Sequence, residues 1–81
     1  MNNFEKFKKE IPEFVTRHRK KSGLSQEALA KLAGVGKTAV FDIEHGKVTV
    51  QMDTLLRILN ALNIEVQLSS PLLQAVKEKQ K

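Results

Sequence analysis

QEALAKLAGVGKTAVFDIEH, residues 26–45, has the spacing of two short helices folded against each other across a tight turn. Ala30 stands where the two helices approach, and a larger side chain would force them apart. Gly34, four residues on, stands at the turn, where a left-handed backbone costs glycine little. Val40 and Ile43, three apart, form an apolar stripe that docks the second helix on Leu29 and Ala33 of the first. This pattern predicts a helix-turn-helix, a unit that lays its second helix in the DNA major groove.

Outward from the motif, the punctuation predicts further helices. Phe4, Phe7, Ile11, Phe14, Val15 and His18 recur at helical spacing, and Pro12 interrupts them. The prediction is a short leading turn or helix, then a helix over 12–22 with proline in its first turn and Gly23 at its end. Ser25 can cap the helix 26–33, with Glu27 favourable in its first turn. Gly36 can begin a helix over 37–45 that Gly46 ends. After the extended link 47–50, QMDTLLRILNALN predicts a fourth helix to about residue 62. Met52, Leu55, Leu56, Ile58, Leu59 and Leu62 cover more than one stripe of it. So wide an apolar arc needs two burying surfaces, the domain core and a second subunit.

Ile64, Val66 and Leu68 then alternate with Glu65, Gln67 and Ser69 in period two, as in a half-buried strand. Residues 47–50 are the only weak candidate for its partner. An unpaired strand leaves backbone groups unsatisfied, so one solution is pairing with the same strand of a second copy about a two-fold axis. The other is a strand-like tail lying flat on its own domain. Ser70-Pro71 can cap and start a short tail helix. The fold class expected is mainly α, a helical helix-turn-helix domain plus one C-terminal β-strand pairing across a homodimer. Its organisation is an N-terminal extension 1–11, a DNA-binding and dimerisation domain 12–69 and a tail 70–81.

Composition narrows the function classes. The chain has 81 residues, 41% of them apolar, enough for one small core. It has no cysteine, which excludes disulfides, thiol catalysis and a cysteine-based zinc site, and His18 and His45 are too few and too distant to suggest another metal site. No cofactor and no metal are expected. No apolar run spans a bilayer and the start lacks a signal-peptide core, which suggests a cytoplasmic chain. The net charge of +5 is localised, with seven Lys or Arg against three Glu in residues 1–22 and three Lys against one Glu in residues 71–81. Alone, this reads as a solvated lysine surface; beside a helix-turn-helix it suits phosphate.

Within the motif, groove readout needs polar side chains on the outer N-terminal face of the second helix. Lys37, Thr38, Phe41 and Asp42 fall there as candidate base contacts. Lys37 can donate to guanine, Thr38 can bond a base or touch a thymine methyl, and Asp42 can accept from cytosine N4. Phe41 can pack on a thymine methyl, or it belongs to the core of a slightly rotated helix. Gln26, Ser25 and Lys47 are candidate phosphate contacts, Ser25 also as a cap. Arg17, Lys20 and Lys21 are either contacts or plain surface. Arg19 and Glu44, opposite charges within apolar stretches, either pair or are separately solvated. His18, among apolar positions, reads as a partly buried packing residue.

GLSQEALAKLAGVGKTAVFDIEHGK, with Arg19 four residues before Gly23, resembles the Xre/Cro family of bacterial and phage repressors. TVQMDTLLRILNALNIEVQL looks like its HipB-type antitoxin subfamily. The resemblance runs from about residue 15 to 68. It implies a lambda-repressor-like fold with Gln26, Lys37, Thr38 and Asp42 facing DNA and an Arg19–Glu44 ion pair. It further implies a homodimer with paired C-terminal strands and a HipA-type serine/threonine kinase toxin, whole or split, as partner. His18 departs from the leucine-like residue usual there, and residues 1–11 and 71–81 lie outside the resemblance.

Two other classes compete. GVGKTA superficially resembles a phosphate-binding loop, but that motif needs glycine where Lys31 stands and a strand before it, and no nucleophile–base pair marks catalysis. The chain is not expected to be an enzyme. A protein-interaction module would tolerate anything on the groove face; Lys37 and Thr38 argue against it and Asp42 weakly for it. Among DNA binders, a stand-alone phage-type regulator competes with an antitoxin; the lack of a ligand-sensing segment in 81 residues favours control by a partner.

Overall fold

A computed structural model describes residues 2–47 and 49–72. Four helices follow in order, α1 (Asn3–Lys21), α2 (Gln26–Ala33), α3 (Lys37–Glu44) and α4 (Met52–Ala61). The ends follow local chemistry. The Asn2 side chain accepts from Glu5 N (2.8 Å) to cap α1, and His18, Arg19, Lys20 and Lys21 complement the dipole in its last turn. Ser25 Oγ accepts from Ala28 N (3.0 Å) to cap α2, and Gly34 closes that helix at φ 72°, ψ 34°. With Gly34 left-handed, Val35 N reaches Ala30 O (3.0 Å) and the chain turns directly into α3. Asn63, at φ 57°, performs the same service after α4, and Ile64 N donates to Leu59 O (2.9 Å).

The helices meet over one small core of Val15, Leu29, Ala30, Val40, Ile43, Ile58, Leu59 and Leu62. α2 packs most extensively on α3, α1 on α3 and α4 on α2. Leu29 is fully buried and Ala33 borders the cluster, so Val40 and Ile43 do dock the second motif helix on the first. Truncating a side chain like Leu29 to alanine costs about 2–5 kcal/mol, since the emptied space cannot fully collapse.

Two expectations need correction. Pro12 does not break α1, which runs unbroken from Asn3 to Lys21. Proline removes one hydrogen bond, the one Lys8 O would accept, and the rest of the helix is continuous around that gap. Gly46 lies close by; a Cβ there would sit 4.0 Å from Lys8 O and from Pro12 Cγ. His18 is exposed, not partly buried: its ring stacks on Phe14 (5.7 Å between centroids) and its Nδ1 lies 2.7 Å from Phe14 O. Both rings therefore stay on the outer side of α1, and Val15 alone of this helix enters the core.

The C-terminal segment is a different case. Among the described residues there is no strand, and the strand expected over 64–68 is one paired with a second copy. Ile64 packs against the core, Gln67 Nε2 donates to Glu65 Oε1 two residues away (2.7 Å), and Leu68 is 85% exposed. Pro71 and Leu72 begin a helical turn; the remainder of the expected tail helix lies outside the described residues.

Candidate nucleic-acid interface

The motif is held by one buried carboxylate. The Glu44 side chain, 4% exposed, accepts from Arg19 Nε at Oε2 (2.6 Å) and from Arg19 Nη2 at Oε1 (3.1 Å). Arg19 Nη1 donates to Leu24 O (2.9 Å), and Gln26 Nε2 donates to Glu44 Oε1 (3.2 Å). One carboxylate thereby joins α1, the α1–α2 turn and the start of α2 to the end of α3. Burial works to raise its pKa. Hydrogen bonds from Arg19 and Gln26, the Arg19 charge and the Thr16 hydroxyl outweigh burial and leave it below the ordinary glutamate value. The hydrogen bond to Glu44 raises Arg19 in turn, against the opposing effect of burial.

With α3 so fixed, Val40 and Ile43 face inward, and Lys37, Thr38 and Phe41 are exposed. Lys37 begins the helix and its first turn holds no acid. Gly36 supplies no side-chain cap, so this end presents backbone N–H groups beside a lysine, an arrangement suited to an anionic backbone. Phe41 is 47% exposed and its ring stacks on His45 at 3.9 Å, outside the core. His45 Nδ1 lies 2.8 Å from Phe41 O, which fixes the imidazole on the same face.

Other candidates have partners already. Asp42 Oδ2 lies 3.6 Å from Lys47 Nζ, and Lys47 N donates to Asp42 O (2.9 Å). The candidate acceptor for cytosine and the candidate phosphate ligand thus share a charge pair. Gln26 is half-buried and tied to Glu44, so its side-chain N–H faces α3. Ser25 Oγ accepts a backbone bond and keeps its proton to donate. Periodicity did not reveal the Phe41–His45 stack, although an aromatic and a histidine four apart on one helix are its signal. The GVGKTA run is a turn and the first turn of α3, preceded by a helix. No described helix is long and apolar enough to cross a membrane.

Fold and site together define a helix-turn-helix DNA-binding domain, with α2 as the supporting helix and α3 as the one that enters the groove. Residues 16–68 match the helix-turn-helix family HTH_3, and the chain belongs to that family. It is also similar to a protein of Sinorhizobium fredii, the uncharacterized HTH-type transcriptional regulator y4mF. The two are 38% identical over 53 residues, 65% of this chain and 70% of the relative.

Proposed function

We propose that this protein is a sequence-specific transcriptional repressor that binds an inverted-repeat operator as a homodimer. The observation that carries this reading is the division of α3. Its inner face is locked by Val40, Ile43 and Glu44, while its N-terminal outer face carries Lys37, Thr38 and Phe41 into solvent with Asp42 beside them. Lys37, Thr38, Phe41 and Asp42 are the proposed base readers; Ser25, Gln26 and Lys47 flank them toward phosphate. Nothing in this role calls for catalysis or a cofactor. The relative's name as a transcriptional regulator fits the same reading.

The finer role proposed is that of a HipB-type antitoxin, which represses its own operon and neutralises a HipA-type kinase toxin, whole or split. Supporting it are the resemblance of residues 49–68 to that subfamily and the exposed apolar Leu56, Val66 and Leu68, which suit a paired C-terminal segment. A stand-alone Xre-type regulator is the alternative.

Binding to the chain's own promoter, titrated against salt, tests the first reading. Counterion release gives a log–log slope of about −0.9 per phosphate neutralised, so two lysines from each half of a dimer give about −4. A flat salt response or no promoter binding overturns it. Co-purification from the native host tests the second: a kinase among the partners is expected, and its absence leaves the stand-alone regulator.

A further inference from the structure

The N-terminal half of α1 lies outside the family match, and of its residues Ile11 packs against the core. The half-helix also builds an apolar groove of about 200 Å³. One wall is Phe4, Phe7 and Ile11, spaced as one stripe of α1; the other is Met52 and Leu55 of α4. The walls are wet, with Phe4 and Phe7 about half exposed and Met52 69% exposed. Among the described residues two charged residues line the groove, Lys8 and Lys47, and Lys47 already lies 3.6 Å from Asp42. Glu5 and Glu10, the acids of this half-helix, are not among the lining residues.

The sign of that charge selects the occupant. The chain's own tail, residues 71–81, carries three lysines against one glutamate, and a second copy brings a net +5. Neither adds carboxylates in excess to the groove edge, whereas a partner presenting acids is drawn to it. The stripe from Phe4 to Ile11 is about two turns long, which suits a helix laid alongside it with apolar anchors at i, i+3 and i+7. We propose that this groove takes an acidic amphipathic helix of another protein, with apolar side chains between Phe7 and Met52 and its carboxylates toward Lys8. The floor of the groove is Ile43 and Gly46, at the end of α3, so an occupant also touches the recognition element.

A labelled synthetic helix of about four turns, with leucines at that spacing and glutamates elsewhere, is the probe, and the same helix with lysines is its control. Fluorescence anisotropy with the full chain, without DNA, reads docking independently of promoter binding. The acidic helix is expected to bind about tenfold or more tightly than the basic one. Phe7→Asp and Met52→Asp, both at exposed positions on opposite walls, are each expected to lose about tenfold with circular dichroism unchanged; Lys8→Glu loses severalfold. Equal binding of the two helices overturns the proposal, as does full binding by both wall variants. So does a change of sedimentation in Phe7→Asp, which would make the groove an interface between copies.

Discussion

Glu44 has the strongest structural argument of any single residue here, because its carboxylate is nearly dry and serves two donors on two other elements. Arg19→Ala would leave that charge buried and unpaired, at a cost of about 3 kcal/mol or more, a large share of the roughly 5–10 kcal/mol such a domain has. Urea denaturation checks this, and the double change Arg19→Met with Glu44→Leu is expected to recover most of the loss. The pH dependence follows in sign. A carboxylate whose folded value lies below its unfolded one contributes its stability above the unfolded value, and loses it as pH falls through the lower folded value. Acid unfolding of the wild type therefore includes a Glu44 component that Glu44→Gln lacks. On the groove face, Lys37→Ala and Thr38→Ala are expected to weaken operator binding by about 1–3 kcal/mol each if they read bases, measured against a scrambled duplex. Much of this was legible in sequence. Arg19 and Glu44 are opposite charges in apolar stretches, which leaves pairing and separate solvation equally open, and the Xre/Cro resemblance implies the pair. The Asp42–Lys47 and Gln26–Glu44 contacts were not, because they depend on how the chain turns after α3 and on the crossing of α2 with α3, which spacing alone does not set.

Among the elements, helix ends read well and the one helix interior with a proline did not. Ser25 and Gly34 bracket α2 because a hydroxyl satisfies the first free N–H groups and a glycine accepts the left-handed turn; both are local chemistry. Gly34→Ala has open space for its methyl, so its expected cost of about 1–2 kcal/mol is purely that of a left-handed alanine. Pro12 is different. A proline is compatible with a helix start and, at the cost of one hydrogen bond, with a helix interior, so local sequence did not decide between them. The missing bond at Lys8 O should divide α1 into two halves of unequal stability, since only the later half carries the fully buried Val15. Amide exchange is expected to be faster over residues 5–11 than over 15–21, and Pro12→Ala should slow it by restoring the ladder. Equal protection in both halves would show that the groove packing, not the ladder, holds the N-terminal turns.

At the scale of the whole molecule, α4 bears on the proposed homodimer. Ile58, Leu59 and Leu62 close the core, yet Leu56 on the same helix is left in solvent beside Ile64 and Val66, and Leu68 beyond them is almost bare. The backbone of residues 65–69 also offers donors and acceptors outside any helix. In the proposed homodimer, a two-fold pairing of this segment would cover these side chains and bring two α3 helices to one duplex. Successive major grooves on one face recur about every 34 Å, so half-site centres one helical turn apart are expected. The double variant Val66→Glu and Leu68→Glu places like charges opposite each other across that axis, and sedimentation should find a monomer at micromolar concentration. Because both side chains are exposed and outside the core, its fold and its affinity for a single half-site should stay near wild type while binding to the full operator falls steeply. An operator with half a helical turn inserted between its half-sites should fail for the wild type in the same way. If the double variant remains dimeric, the pairing lies elsewhere and the exposed edge of α4 has another purpose.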